Sequence, residues 1–134
     1  MEIKIPSISS QQRFVLEAAS KEAIKQLQEN LNAPEKQGVA IGTNTKHLLT
    51  EEQGWEPPSA DVVRAYFENF KEHFPEYDSD KKLAKLFGLK TDRRIREFKS
   101  GEYKVPYGVW RKFLVLTGRV PQQVIPVLAI FNDK

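Results

Sequence analysis

Apolar positions recur along this chain in more than one rhythm, and each rhythm predicts its own kind of element. Residues 2–8, EIKIPSI, alternate apolar and polar as a short strand does, and Pro6 confines that strand to an edge or an extended arm. From Ser10 to Leu31 the interval changes. Leu16, Ala19, Ala23, Leu27 and Leu31 follow one another three or four residues apart, which lines one face of a helix. The residues between them are mostly Gln, Glu, Lys and Ala, all good helix formers, and Ser9 or Ser10 is placed to cap the start. The stripe is narrow, so this helix needs a surface to dock on: its own domain or a second copy. Periodicity then stops. Pro34, Gly38, Gly42, Gly54, Pro57 and Pro58 mark residues 33–58 as a linker, with a short helical turn expected within Thr45–Glu52 and Trp55 as its anchor to the core.

Helical spacing returns in the second half, now between strong stop signals. Ser59 caps a helix whose stripe is Val63, Phe67, Phe70 and Phe74. Asp61 suits its first turn and Pro75 ends it. Ser79 or Asp78 caps a short helix through Phe87, with Leu83, Ala84 and Phe87 inward and Gly88 as a left-handed stop. Thr91 caps the next, Asp92 to Ser100, with Ile95 and Phe98 inward and Gly101 as its stop. Pro106 opens a last helix that buries Val109, Trp110, Phe113, Leu114 and Thr117 before Gly118. The tail, RVPQQVIPVLAIFNDK, is the most apolar segment. It is expected as a helix from about Val124 or as a strand, buried in its own core or across a dimer interface. The fold class expected is mainly α: a compact bundle of short helices with an N-terminal helical appendage and one short strand. Residues 1–58 supply dimerisation or a partner contact, and residues 59–134 form the working domain.

Charge changes the picture. The 134 residues carry a net +3, yet Lys81–Arg119 holds twelve Lys and Arg against Asp92, Glu97 and Glu102, a local +9. Residues 1–60 are net −2 and residues 61–134 net +5. Positive charge gathered on one helical module points to a polyanion, of which nucleic acid is the commonest.

The segment Ser79–Gly101 reads as a helix-turn-helix: Ala84 is small where a second helix crosses, Gly88 makes the turn, and Ile95 and Phe98 dock the second helix. With Pro106 these residues give residues 59–118 a resemblance to the lambda-repressor-like, Cro/CI-type DNA-binding family. Its pattern is an L-A-x-x-x-G helix, a turn, a recognition helix with an inward Ile and aromatic, then Gly and Pro. The chain departs from it in a turn one residue longer between Gly88 and Ile95. It also carries Lys99 where Glu is frequent, and Thr91-Asp92-Arg93 in place of the usual Gln. The resemblance implies a transcriptional regulator of the phage, plasmid or mobile-element type.

On a helical wheel Arg93 and Arg96 fall opposite Ile95 and Phe98, at the end of the helix that in this motif enters the major groove. Arg93, Arg96 and the adjacent Asp92 are therefore the expected base contacts. Arginine suits guanine because its paired N–H donors match O6 and N7. Thr91, Arg94, Lys81, Lys82, Lys90, Lys99, Tyr103 and Lys104 are the expected phosphate contacts. Lys85, Arg111 and Lys112 share the basic surface, and Tyr107 either binds phosphate or caps the core. The bland alternative is that Arg93 and Glu97, four residues apart, form only a surface ion pair worth about 0.3–0.5 kcal/mol.

Catalysis has little to build on. The chain has no cysteine, and its two histidines, His47 and His73, are in no metal-ligand spacing. GTNTK at 42–46 lacks the end of a phosphate loop, Ser7, Ser9 and Ser10 sit in no nucleophile motif, and Glu51-Glu52 reads as loop charge. No enzyme activity, cofactor or metal is expected. MEIKIPSISS has no signal-peptide core and no stretch reaches the length of a membrane span, so a cytoplasmic location is expected. The expected partners are double-stranded DNA and a second copy of the chain, with no membrane. The other readings left open are a module whose basic face binds an acidic protein, and a non-specific nucleic-acid accessory protein.

Overall fold

The computed structural model describes residue 5 and residues 7–40 and 42–133. It is mainly helical: α1 (Ile8–Asn30), α2 (Ala60–His73), α3 (Asp80–Leu86), α4 (Arg93–Ser100) and α5 (Tyr107–Leu116), with short 3-10 turns at Lys46–Leu48 and Pro75–Tyr77. Among the described residues there is no strand, and most of the expected strand at 2–8 lies outside them. Ile8 opens α1 instead. Helix α1 starts earlier than the apolar stripe implies because Ser7, not Ser9 or Ser10, is its cap, with Oγ accepting from the Ser10 amide at 3.2 Å.

The chain divides into two compact units, residues 36–122 and the paired segments 1–35 and 123–134. This differs from a division at residue 58. Residues 36–58 are tied into the helices that follow, because His47, whose backbone carbonyl accepts from the Trp55 indole at 3.1 Å, is itself buried against Tyr66 of α2 and Trp110 of α5. Trp55 also sets its ring against Tyr107, centroids 5.2 Å apart, which ties residues 36–58 to the start of α5.

In the unit 36–122, Val63, Tyr66, Phe67 and Phe70 of α2 meet Leu83 and Ala84 of α3, Ile95 and Phe98 of α4, and Trp110, Phe113 and Leu114 of α5. Aromatic rings fill its centre: Phe67 stands edge-on to Phe113 at 5.1 Å, and Tyr66 stacks on Trp110 at 5.6 Å. Each large side chain buried this fully contributes about 1.5–3 kcal/mol. Ser59 and Ser79 cap α2 and α3 as expected, accepting from the amides of Val62 and Lys82. Gly88, Gly101 and Gly118 take positive φ at the ends of α3, α4 and α5. Val105, unforeseen as core, is buried just before the Pro106 cap. Trp110, four places into α5, joins the same cluster, the placement of a hydrophobic staple.

In the other unit α1 buries none of its residues. The tail is neither helix nor strand, a correction to the expected element. Pro121 and Pro126 lack N–H groups and disfavour helical backbone at the residues before them, Val120 and Ile125, which works against a helix's first turn. Nor is the tail buried within this chain: Ile125 and Leu128 are 81% and 94% exposed. It runs beside α1, with the Gln12 amide donating to the Phe131 carbonyl at 3.2 Å. Ile8, Val15 and Leu16 face Val127, Ile130 and Phe131 across an open apolar groove of about 600 Å³.

Candidate nucleic-acid interface

The basic face is built on α3, α4 and residues 87–92 between them. Helix α3 stops at Gly88, whose φ of +73° turns the chain, and the Leu89 amide donates to the Ala84 carbonyl at 2.8 Å to close the stop. Helix α4 then starts at Arg93. Its cap residue is Asp92 rather than Thr91, and no side chain caps it, because the Asp92 carboxylate leans toward Arg96 at 3.6 Å. Thr91 stays exposed beside it.

Helix α4 is two-sided. Ile95 and Phe98 are buried, while the side chains of Arg93 and Arg96 are 78% and 61% exposed. Between these faces lies Glu97, a buried carboxylate that the sequence reading placed at the surface. Arg93 Nε sits 2.9 Å from its Oε1, and Arg94 donates to its Oε2 at 3.2 Å. Arg94 also lies over the Tyr103 ring, 4.2 Å from its centroid. The i−4 and i−3 spacing of the two arginines was the available signal. What hid the burial was the wheel, on which Glu97 falls away from the Ile95–Phe98 face.

The remaining cations divide into free and committed. Lys81, Lys85, Lys90 and Lys104 are exposed and have no ionic partner among the described residues. The first three surround a concavity of about 520 Å³ floored by Ala84 and Leu89 and edged by Thr91 and Asp92. Lys82 pairs with Asp78 at 2.7 Å but stays half exposed. Lys99, expected at a phosphate, is instead held inside the bundle, 2.9 Å from Asp80 and 3.6 Å from Glu68. Lys71 reaches the same carboxylates at 2.6 and 3.3 Å, so one network fastens α2, α3 and α4. Burial alone would raise the Asp80 carboxyl, but Lys71 and Lys99 hold it below its ordinary range. Arg111 and Lys112 donate to backbone carbonyls, Arg111 to those of Leu48 and Pro121 and the exposed Lys112 to that of Leu86.

His47 and His73 lie apart from this face. His73 Nε2 contacts the Gln37 carbonyl at 2.9 Å, and His47 belongs to the core, where its Nδ1 accepts from Trp110 Nε1 at 3.1 Å. Among the described residues no group of acidic or histidine side chains is arranged to hold a metal ion, and no helix is long and apolar enough to cross a membrane. No family model, curated protein or solved structure matches the chain.

Proposed function

We propose that residues 36–122 form a sequence-specific double-stranded DNA-binding module of the helix-turn-helix kind, in a transcriptional regulator of the phage, plasmid or mobile-element type. The observation that carries this reading is the two-sidedness of α4, with Ile95 and Phe98 inward and Arg93 and Arg96 exposed, next in the chain to a concavity lined by Lys81, Lys85 and Lys90, which have no ionic partner among the described residues. In this reading α3 braces the DNA backbone and α4 enters the major groove. Arg93, Arg96 and Asp92 meet base edges. Lys81, Lys82, Lys90, Lys104, Arg94, Thr91 and Tyr103 meet phosphates, which position the module without specifying sequence. A homodimer sets two such modules on paired half-sites. The protein acts by binding, with no catalytic step and no cofactor assigned to it.

Selection of bound sequences from a random duplex library tests the reading. It is expected to return one preferred site, and affinity for that site is expected to fall steeply with added salt as neutralised phosphates release counterions. A second reading has its own observation: Arg93, Arg94 and Arg96 already hold carboxylates, as a surface made for acidic side chains would. Absence of duplex binding at low salt favours that acidic protein partner. Salt-dependent binding with no preferred sequence favours a non-specific accessory role.

A further inference from the structure

We infer that Glu97 is a positioning residue for base recognition: it fixes Arg93 so that the outer edge of the guanidinium is presented to a guanine. The inference rests on the DNA-binding reading of α4 and deepens it to the base read. Glu97 is only 7% exposed, in a helix whose other buried side chains are apolar. A carboxylate so placed is costly unless opposite charge compensates it. Two arginines do so, one at each oxygen. The Arg93 contact runs through Nε, the nitrogen on the side-chain stem, at 2.9 Å, while the side chain as a whole remains 78% exposed. With the contact made at Nε and the side chain this exposed, terminal N–H donors remain accessible to a base. Two parallel N–H donors are the pattern that pairs with guanine O6 and N7.

Arg94 completes the support. It is braced between Glu97 Oε2 and the Tyr103 ring, so the carboxylate is held from a second side and cannot swing with Arg93. A free arginine loses side-chain freedom when it docks on a base, and one already held loses less, so the gain appears as discrimination. Arg96 lacks such a buttress. Its partner Asp92 is 3.6 Å away and more exposed than Glu97. Arg93 is thus assigned the sharper base preference and Arg96 the looser one.

The test compares the full-length protein with Glu97→Gln and Arg93→Ala, measuring affinity for the selected site, for each single-base variant of it, and for random duplex. Arg93→Ala is expected to abolish a guanine preference at one position. Glu97→Gln is expected to weaken the preference at that same position about tenfold. Its affinity for random duplex should hold or rise, because a negative charge near the phosphates is gone. Replacing that guanine by 7-deazaguanine, which lacks the N7 acceptor, should cost the wild type more than Glu97→Gln. If Glu97→Gln loses its helical circular dichroism, Glu97→Asp is measured in the same way, since it keeps the charge but retracts the carboxylate. A purely structural role predicts that specific and random affinities fall together, and that result overturns the inference, as does an unaltered base preference. A wild-type protein with no duplex affinity sinks the DNA-binding reading and the inference with it.

Discussion

His47 is the residue whose protonation the fold resists most visibly. Its Nδ1 accepts the Trp110 indole proton, so the neutral ring carries its own proton on Nε2, which is buried with no hydrogen-bond partner among the described residues. Burial pushes its pKa below the ordinary 6.5, and the nearby Arg119 guanidinium pushes the same way. A folded-state value below the unfolded one means that the unfolded chain binds more protons in this range. The stabilisation is complete above about pH 6.5 and is lost as pH falls through the folded-state value. Urea midpoints should therefore drop from pH 7.5 to pH 5, and less so in His47→Gln. Equal slopes in the two proteins would remove this account. Asp80 adds a separate loss under more acidic conditions, below about pH 4, where its unfolded carboxyl begins to protonate. Arg93→Ala and Arg96→Ala are each expected to lower affinity for the preferred site by about 1–3 kcal/mol while leaving the protein folded. Arg96→Ala should hardly move the melting temperature, and Arg93→Ala should lower it, because the buried Glu97 loses one of its two counter-charges. Both side chains are exposed, so neither truncation opens a cavity.

Among the elements, those closed by a local signal were legible in the sequence. Ser59 and Ser79 cap where a small hydroxyl precedes an apolar stripe, and Gly88, Gly101 and Gly118 stop α3, α4 and α5 because only glycine takes positive φ without strain. Gly101 carries a second constraint. At φ +84°, an added Cβ would also lie 3.3 Å from the Ala60 Cβ at the start of α2. Gly101→Ala should cost about 1–2 kcal/mol in urea unfolding, from the left-handed strain together with the crowding. A loss no larger than that of an exposed surface substitution would mean that the α4 stop relaxes freely. What the sequence hid depends on contacts distant along the chain. Nothing near His47 announces that Trp110 covers it. The role of Lys99 is set by Asp80 and Glu68, each far from it in sequence, and so it read as one more surface cation. Thr91 looked like the α4 cap because a hydroxyl beside the helix start is the usual signal, but Asp92 follows it and spends its carboxylate on Arg96.

The whole molecule leaves one imbalance that the bundle of α2–α5 does not share. A 23-residue helix, α1, has no buried residue, and helices in proteins draw most of their stability from an apolar face packed on something else. Phe14 and Ile24 on α1 are 74% and 56% exposed, and the tail adds Val124, Ile125, Leu128 and Phe131, each at least three-quarters exposed. So much exposed apolar surface on one helix and its neighbouring tail marks a contact surface for a partner. A second copy of the same chain is the partner the DNA-binding reading calls for, because paired half-sites need paired modules and a two-fold contact buries the same patch twice. Light scattering at high protein concentration should therefore report a homodimer, and the selected DNA site should be a palindrome of two half-sites. Leu128 is the residue to charge. It is the most exposed of these side chains at 94% and lies in no helix, so Leu128→Glu removes apolar surface from the contact without touching a core. The variant should become monomeric, keep its helical circular dichroism, and bind a single half-site much more weakly than the dimer binds the full palindrome. A wild-type protein that stays monomeric contradicts the assembly. A variant that remains dimeric removes Leu128 from the contact and transfers the interface to the exposed apolar positions of α1, where Ile24→Glu repeats the test.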